Sequence, residues 1–425
     1  MSNRIVFATY GSLGDLHPYM AIAVELKQRG HSVAIATSEV YRASVEAEHI
    51  DFFPVRPDLP AKNTEEAQAD INQAMDAQKG TEYVLRQLIL PYLKNSYNDL
   101  TQAVRGADLL ITHPISFAGV LLAQKTGIRW ISSVLSPISF LSAYDPPVLA
   151  NQISRIELGL FSNLINSLLM FVGKLSIFPW SLPVRQLRSE LRLSPAKDPF
   201  FQDQHSPDLV LALFSQVFAQ PQADWYKKTC TTGFPFYDRQ LTELSPELLE
   251  FIKAGSPPIV FTLGSAAVND AGSFYIESVI AAKQLGCRAV LIIGEDTRNQ
   301  LPENLLSADI VTFSYAPYYK IFSYACVIVH QGGIGTTAEA LRSGRPMLVM
   351  PYSHDQPDNA ARAERLGVAR TLKRSKYKAI AVASELKQLL HEPKYAQQAK
   401  IIGEQIRAEN GVKVACDRIE AYLSK

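Results

Sequence analysis

The chain has 425 residues, which at about 150 residues per domain sets an expectation of two to three domains. Apolar residues make up 47% and charged residues 20%, so large cores are affordable and a disordered or fibrous protein is excluded. Lys and Arg number 42 against 41 Asp and Glu, a net charge of +1, which gives no global attraction for nucleic acid or an anionic membrane.

The first 135 residues alternate strand and helix. Arg4 to Tyr10 predicts a buried strand, and Pro18 to Arg29 a helix that stops at Gly30. Strands follow at Ser32–Thr37 and Asp51–Val55, with a short helix at Tyr41–Glu48 between them. Leu109–Thr112 and Trp130–Leu135 read as two more strands. From about Ser136 to Gln204 prolines punctuate helical, strongly apolar pieces, the pattern of an insertion that walls a pocket. Leu209–Leu213 returns to strand, and TTGFPFY (231–237) has the Gly/Pro chemistry of a linker.

A second alternating series follows. It has strands at Ile259–Leu263, Ala289–Ile293, Ile310–Phe313, Cys326–His330 and Met347–Met350. Helices are expected near Ser273–Leu285, Thr336–Ser343 and Asn359–Leu366, and the tail Ala379–Leu423 reads as helices. IVFATYGS (5–12) and IVFTLGS (259–265) are each a buried strand running into a Gly-Ser turn. The expected fold class is α/β, with two doubly wound Rossmann-like domains. The domain expectation is 1–230, 238–405, and a C-terminal helix within 406–425 packing back on the first domain.

The four cysteines, Cys230, Cys287, Cys326 and Cys416, have no zinc or redox spacing and read as small buried thiols of a reducing compartment. Met1–Tyr10 lacks the pattern of a signal peptide. The longest apolar stretch, Leu158–Val172, falls short of the roughly 20 residues a membrane span needs. A cytoplasmic protein is the expectation.

The chemistry concentrates in HQGGIGTTAEALRSGRPMLVMPYSHDQPDN (330–359). A strand ends at His330, and Gly332, Gly333 and Gly335 lead into a helix near Thr336. Glycines admit a phosphate close to the backbone, and a helix N-terminus offers unpaired N–H groups and a positive dipole end. His330 and the Thr336 hydroxyl would reach the same phosphate, and Glu339 suits ribose hydroxyls. Asp355 beside Gln356 forms a clamp for sugar hydroxyls. In SYAPYYKIF (314–322), Tyr315 and Tyr318 have rings that would stack on a nucleobase, while the Ala316 backbone would meet its edge. Packing at a helix start is the other reading of Tyr318 and Tyr319. In GSLGDLHP (11–18), Asp15 and His17 would project at the carboxyl edge of the sheet, where either serves as a general base. Asp15 reads equally as the N-cap of a helix beginning near Pro18.

The segment 330–359 resembles the nucleotide-sugar signature of family 1 glycosyltransferases, enzymes of the two-Rossmann GT-B fold. The likeness extends to FTLGS (261–265), to Gly14-Asp15-x-x-Pro18 and to RLGVAR (365–370). HQGGIG and HDQPDN look most like the rhamnosyltransferase B subunits that make rhamnolipids, then sterol and macrolide glucosyltransferases. The resemblance implies transfer of a hexose from a UDP- or dTDP-sugar, with inversion and without a metal or other cofactor. By matching positions it implies His330 for the diphosphate, Glu339 for the ribose, and Asp355 with Gln356 for the sugar. Gly14 and Ser265 join the diphosphate site, and Tyr315 falls where plant members place a base-stacking Trp. The family's first-loop His is replaced here by Asp15, which becomes the expected base, with His17 second. No D-x-D pair offers a divalent-ion site.

The apolar acceptor is expected against Leu158, Phe161 and Ile165, in a segment rich in Leu, Phe, Ile and Met. Plain core helix and a peripheral membrane contact are the other readings of that segment. No nucleic-acid partner is expected. Two rival functions are a dinucleotide-dependent oxidoreductase, which would want GxGxxG and an acid such as Glu39, and a non-catalytic nucleotide-sugar-binding protein.

Overall fold

In the strand Arg4–Ala8 (β1), every side chain from Ile5 onward is buried, and successive residues enter opposite cores. Ile5 and Phe7 join one cluster while Val6 and Ala8 join another. The same division separates Ile259 and Phe261 from Val260 in the strand Ile259–Thr262. Strands buried on both faces need helices on both faces, which is the condition of a parallel α/β sheet. A computed structural model describes residues 2–58, 65–149, 162–238 and 243–425.

The first sheet adds β2 (Ser32–Thr37), β3 (Asp51–Pro54), β4 (Leu109–Thr112), β5 (Arg129–Val134), β6 (Val210–Ala212) and β7 (Thr229–Thr231). The second contains β8 (Ile259–Thr262), β9 (Ala289–Ile292), β10 (Ile310–Phe313), β11 (Val327–His330), β12 (Met347–Val349) and β13 (Ala369–Thr371). Their orders are β3-β2-β1-β4-β5-β6-β7 and β10-β9-β8-β11-β12-β13, and every pairing between named strands is parallel. Each sheet therefore reverses its winding once, between β1 and β4 and between β8 and β11. Ligands of doubly wound sheets bind beyond the carboxyl ends at that switch point.

Six helices position the site. They are α1 (Leu13–Gln28), α2 (Ser162–Ile177), α3 (Leu182–Glu190), α4 (Ile334–Ser343), α5 (Gln356–Arg365) and α6 (Gly411–Leu423). α1 begins five residues before the expected Pro18, because Ser12 and not Asp15 is its N-cap. α6 lies on α1: Cys416 Sγ is 3.7 Å from the Ile22 carbonyl, and Arg29 pairs with Asp417 at 2.6 Å and Glu420 at 2.7 Å. The four cysteines are free thiols, but only Cys416 is fully buried.

The insertion departs further from its sequence reading. Ser162–Glu190 is a helical run of 29 residues with mean hydropathy 1.4 and 11% of its apolar window buried. By length and composition alone it could cross a membrane, unlike the shorter Leu158–Val172 stretch on which the expectation rested. It is tied to the fold instead. Val184 and Leu187 of α3 enter the core of the first sheet, and Asn166 of α2 donates to the Ala143 carbonyl at 3.1 Å.

Candidate active site

The carboxyl ends of both sheets open into one cleft of about 2230 Å³. Backbones from the two sides nearly meet there: a Cβ on Gly335 of α4 would lie 3.6 Å from Gly14 Cα of α1. The first-turn N–H groups of α1 and α4 have no acceptor within their own helices.

On the first sheet, Asp15 is the third residue of α1 and closes a capping box. Its Oδ2 accepts the Ser12 N–H at 2.7 Å and the Ser12 hydroxyl at 3.1 Å. Its Oδ1 lies 3.3 Å from His113 Nε2, and the side chain is still 32% exposed. His113 follows β4, and its Nδ1 accepts the Ile115 N–H at 3.3 Å, so its other nitrogen carries the proton toward Asp15. Burial alone would raise the Asp15 carboxyl; contacts with His113 and Ser12 more than offset it and hold the group below its ordinary value. Gly11 sits beneath this carboxylate at φ +132°, and a Cβ there would lie 2.3 Å from Oδ2. His17 also lines the cleft but packs against Tyr237, with ring centroids 5.3 Å apart, and burial lowers it to about 4. Residues two apart on a helix point to different sides, so His17 does not share Asp15's position.

The glycine turn on the second sheet corrects one expectation. His330 is fully buried and is not among the cleft-lining residues. Its Nδ1 accepts the Gly332 N–H at 3.0 Å, and its Nε2 faces Met347 Sδ at 3.4 Å. Burial lowers it to about 3, so a neutral imidazole braces the turn from behind and does not reach the cleft. Gly332 braces the same turn at φ +89° and is likewise not cleft-lining: a Cβ there would approach Val349 at 2.9 Å and the Gln356 carbonyl at 3.1 Å.

Gln331 does line the cleft. Its amide fits between two glycines: a Cβ on Gly264 would lie 2.3 Å from its Nε2, and one on Gly333 would lie 2.9 Å away. Its Oε1 is buried without a hydrogen-bond partner among the described residues. Ser265, Gly333, Gly335 and Thr336 line the cleft beside it. Glu339 also lines it, yet pairs with Arg342 at 2.7 Å, and Arg342 takes both oxygens of Asp238 at 2.8 Å. Burial raises Glu339 to about 7 although Arg342 pulls it down.

Tyr315 is 52% exposed at the cleft beside buried Ala316. Tyr318 also lines the cleft but is held differently: its ring stacks on Phe322 with centroids 4.8 Å apart, and its hydroxyl bonds Thr262 Oγ1 at 2.6 Å, which fixes it to the helix start. Asp355 and Gln356 reach the cleft at the start of α5. Asn359 donates to Asp355 Oδ2 at 2.7 Å and to the Gly332 carbonyl at 2.9 Å, and accepts from Ser136 of the first domain at 3.0 Å. Gln356 Oε1 accepts the Tyr352 N–H at 2.9 Å, which leaves its amide nitrogen as the donor. Burial raises Asp355 to about 7, and the nearby charge of Asp15 contributes to that rise.

Of the three expected acceptor residues, Leu158 and Phe161 lie outside the described residues. Ile165 is half-buried and off the cleft-lining face of α2. That face includes Asn166, Leu169, Met170, Gly173, Lys174 and Ile177, a helical stripe one position further along. His113, Gln331 and this stripe are among the cleft residues that the sequence reading did not select.

Two doubly wound sheets facing one cleft, with glycine turns at both switch points, define the GT-B class of glycosyltransferase. Solved structures agree: a kitacinnamycin glycotransferase aligns with TM-score 0.72 at 22% identity, over 99% of each chain. VinC, a glycosyltransferase solved in complex with dTDP, aligns with TM-score 0.67 at 16% identity over 99% of each chain. Residues 5–95 match the glycosyltransferase family 28 N-terminal domain, and residues 281–420 match the erythromycin biosynthesis protein CIII-like C-terminal domain. The chain is a glycosyltransferase of the GT-B type. It is 27% identical to O-mycaminosyltylonolide 6-deoxyallosyltransferase of Streptomyces fradiae, covering 99% of this chain and 97% of that one. It is also 27% identical to the sterol 3-beta-glucosyltransferase of Glomerella lagenarium, covering 97% of this chain but only 28% of that longer protein. Glu39, the acid a dinucleotide oxidoreductase would want, is turned outward and pairs with Arg42.

Proposed function

We propose that the enzyme transfers a hexose from a UDP- or dTDP-sugar to a hydroxyl of a lipophilic small molecule, with inversion and without a metal. The observation that carries this reading is the meeting of the two helix starts: Gly14, next to Asp15, faces Gly335 of the second sheet, and the Asp15 charge acts on Asp355. The acceptor hydroxyl loses its proton to Asp15 as its oxygen bonds to the anomeric carbon. The bond from that carbon to the diphosphate breaks on the opposite side, and the diphosphate departs with the electron pair. First-turn N–H groups at Ile334–Thr336 and the positive end of α4 stabilise the charge that develops on it. Gln331 Oε1, now without a partner, accepts a hydrogen bond from the donor. Asp355 and the Gln356 amide nitrogen hold the sugar, and His113 orients Asp15.

The acceptor class rests on the apolar stripe Leu169, Met170 and Ile177. The macrolide and sterol substrates in the relatives' names are of the same character. The VinC complex favours dTDP as a donor base to test beside UDP.

The experiment is thermal unfolding with saturating UDP, dTDP, NAD and NADP in parallel. A ligand at 100 times its dissociation constant adds about 2.7 kcal/mol of stability. The expected result is a shift with UDP or dTDP alone. A shift with NAD or NADP alone overturns the donor assignment. A UDP or dTDP shift without transfer or donor hydrolysis would make the chain a binding protein only.

A further inference from the structure

The α2 helix has two apolar faces, and only one of them is used by the cleft. Leu164, Leu168, Phe171, Val172 and Leu175 lie on the other side, followed by Phe178 just past the helix end, and are between 47% and 70% exposed. Leu182, at the start of α3, extends the row at 55%. These positions recur at helical spacing, so they form one continuous stripe along Ser162–Glu190. A row of this size is far outside what scattered surface leucines produce.

The charge around the stripe indicates what covers it. Across the whole chain the signs balance, 42 against 41. Between residues 162 and 198 there are Lys174, Arg185, Arg188, Arg192 and Lys197 against only Glu190 and Asp198. Both acids are paired, Glu190 with Lys94 at 3.0 Å and Asp198 with Lys174 at 3.9 Å, while Arg192 and Lys197 are exposed. Arg185 sits 4.5 Å from the centre of the Phe178 ring, a cation against an exposed aromatic. An apolar stripe edged by cations fits a helix lying in the plane of an anionic bilayer. A second copy of the chain fits less well, because a two-fold contact through this face would bring the same basic edge against itself. The α2 contacts through Asn166 and the α3 contacts through Val184 and Leu187 hold the opposite side of the run to the protein, so one face alone is offered.

We propose that the exposed face of Ser162–Glu190 docks on a lipid bilayer bearing anionic headgroups. The same helix lines the cleft with Leu169, Met170, Gly173 and Ile177, so a docked protein holds that wall beside the apolar phase. The consequence, resting on the reading of the cleft given above, is that the acceptor is an amphiphile drawn from the bilayer.

The test is co-sedimentation with vesicles of phosphatidylcholine alone and of phosphatidylcholine with phosphatidylglycerol, using the full chain without donor. The protein is expected to sediment with the phosphatidylglycerol vesicles and to detach partly as salt rises. Phe171→Asp with Leu175→Asp is expected to weaken partition by about tenfold or more, since two large side chains leave the apolar phase. Arg192→Glu with Lys197→Glu should remove the preference for phosphatidylglycerol. Both double variants should keep the unfolding midpoint and the nucleotide-induced shift of the parent.

Parent protein that stays in the supernatant at low salt overturns the proposal, as does undiminished partition by a folded Phe171→Asp/Leu175→Asp variant. A parent dimer in light scattering, made monomeric by that variant and blind to vesicles, assigns the face to a second copy and overturns it too. Vesicle binding without any nucleotide response would leave this proposal standing and remove the transferase reading alone.

Discussion

His113 Nε2 stands 3.3 Å from Asp15 Oδ1, although 98 residues separate them in the chain. The contact exists because β4 pairs directly with β1, so the residue after one strand meets the helix start after the other. Asp15→Asn retains the shape and the cap but cannot take a proton. Turnover is expected to fall by about 10²–10⁴, with the nucleotide-induced unfolding shift retained. Turnover near the parent value removes Asp15 from the role of base.

His113→Leu gives a pH test of the same pair. His113 helps keep the Asp15 carboxyl below its ordinary value against burial, which acts to raise it. As the proposed base, Asp15 must be ionised, so activity is expected to be lost as pH falls through its pKa. Without His113 that pKa rises, so the acidic limb of kcat/KM should move to higher pH. A limb that stays in place would separate His113 from Asp15.

Gly11→Ala should resemble Asp15→Asn in turnover. The new methyl occupies the position of Asp15 Oδ2, at a φ of +132° that an alanine rarely adopts. The carboxylate must move, and the acceptor hydroxyl loses its aligned base. A loss of about 10²-fold is expected, from misplacement rather than from missing chemistry. Full activity in a folded Gly11→Ala protein would show that the cap is not what aligns Asp15.

Asp355→Asn should stabilise the protein in a pH-dependent way. Burial lifts the folded carboxyl to about 7 from an ordinary value of 3.8. Between those values the unfolded chain has lost the proton that the folded one keeps, so stability falls as pH rises and the full cost is present above about pH 7. The variant removes that cost, a gain of about 1–3 kcal/mol at pH 8 that vanishes below pH 4. Its transfer activity should drop, since the sugar loses an anionic acceptor. A gain that is the same at pH 4 and pH 8 would mean that the carboxyl titrates normally.

His330→Ala should damage stability first and nucleotide affinity through it. The imidazole is fully buried and accepts the Gly332 N–H, so the variant leaves a cavity and an unpaired donor. About 2–4 kcal/mol of stability should be lost, with weaker UDP or dTDP binding as the glycine turn relaxes. Normal unfolding with lost nucleotide affinity would instead indicate direct contact with the diphosphate.

Most of the alternating strands were legible because they are short apolar runs buried on both faces, a pattern that survives without any tertiary knowledge; β3 and β10 are more exposed. β7 and β13 were not legible, since, unlike the equally short but fully buried apolar runs of β6 and β12, they carry half-buried Thr and Arg side chains. The start of α1 was misplaced by Pro18, although Ser12-x-x-Asp15 is itself a capping-box spacing. The helix Leu93–Ala103, whose buried apolar positions are only Leu93, Leu100 and Ala103, was also missed.

In the site, glycines and carboxylates could be read locally, but the roles of two side chains could not. His330 looked like a phosphate ligand because it ends a strand before a glycine turn. Only packing reveals that its ring lies behind that turn. His113 is one histidine after one strand, and its meaning comes wholly from strand order.

The wall formed by α2 and α3 lies in the excursion between β5 and β6, on the first sheet alone. The glycine turns after β8 and β11 belong to the other sheet and owe no strand pairing to it. On the proposed function, acceptor choice and donor choice are then carried mainly by different sheets. Under that reading, an exchange of residues 162–190 between relatives, which leaves the Ser136 and Asp145 contacts with α5 in place, should transplant taste for one alcohol over another while the nucleotide response passes through unaltered.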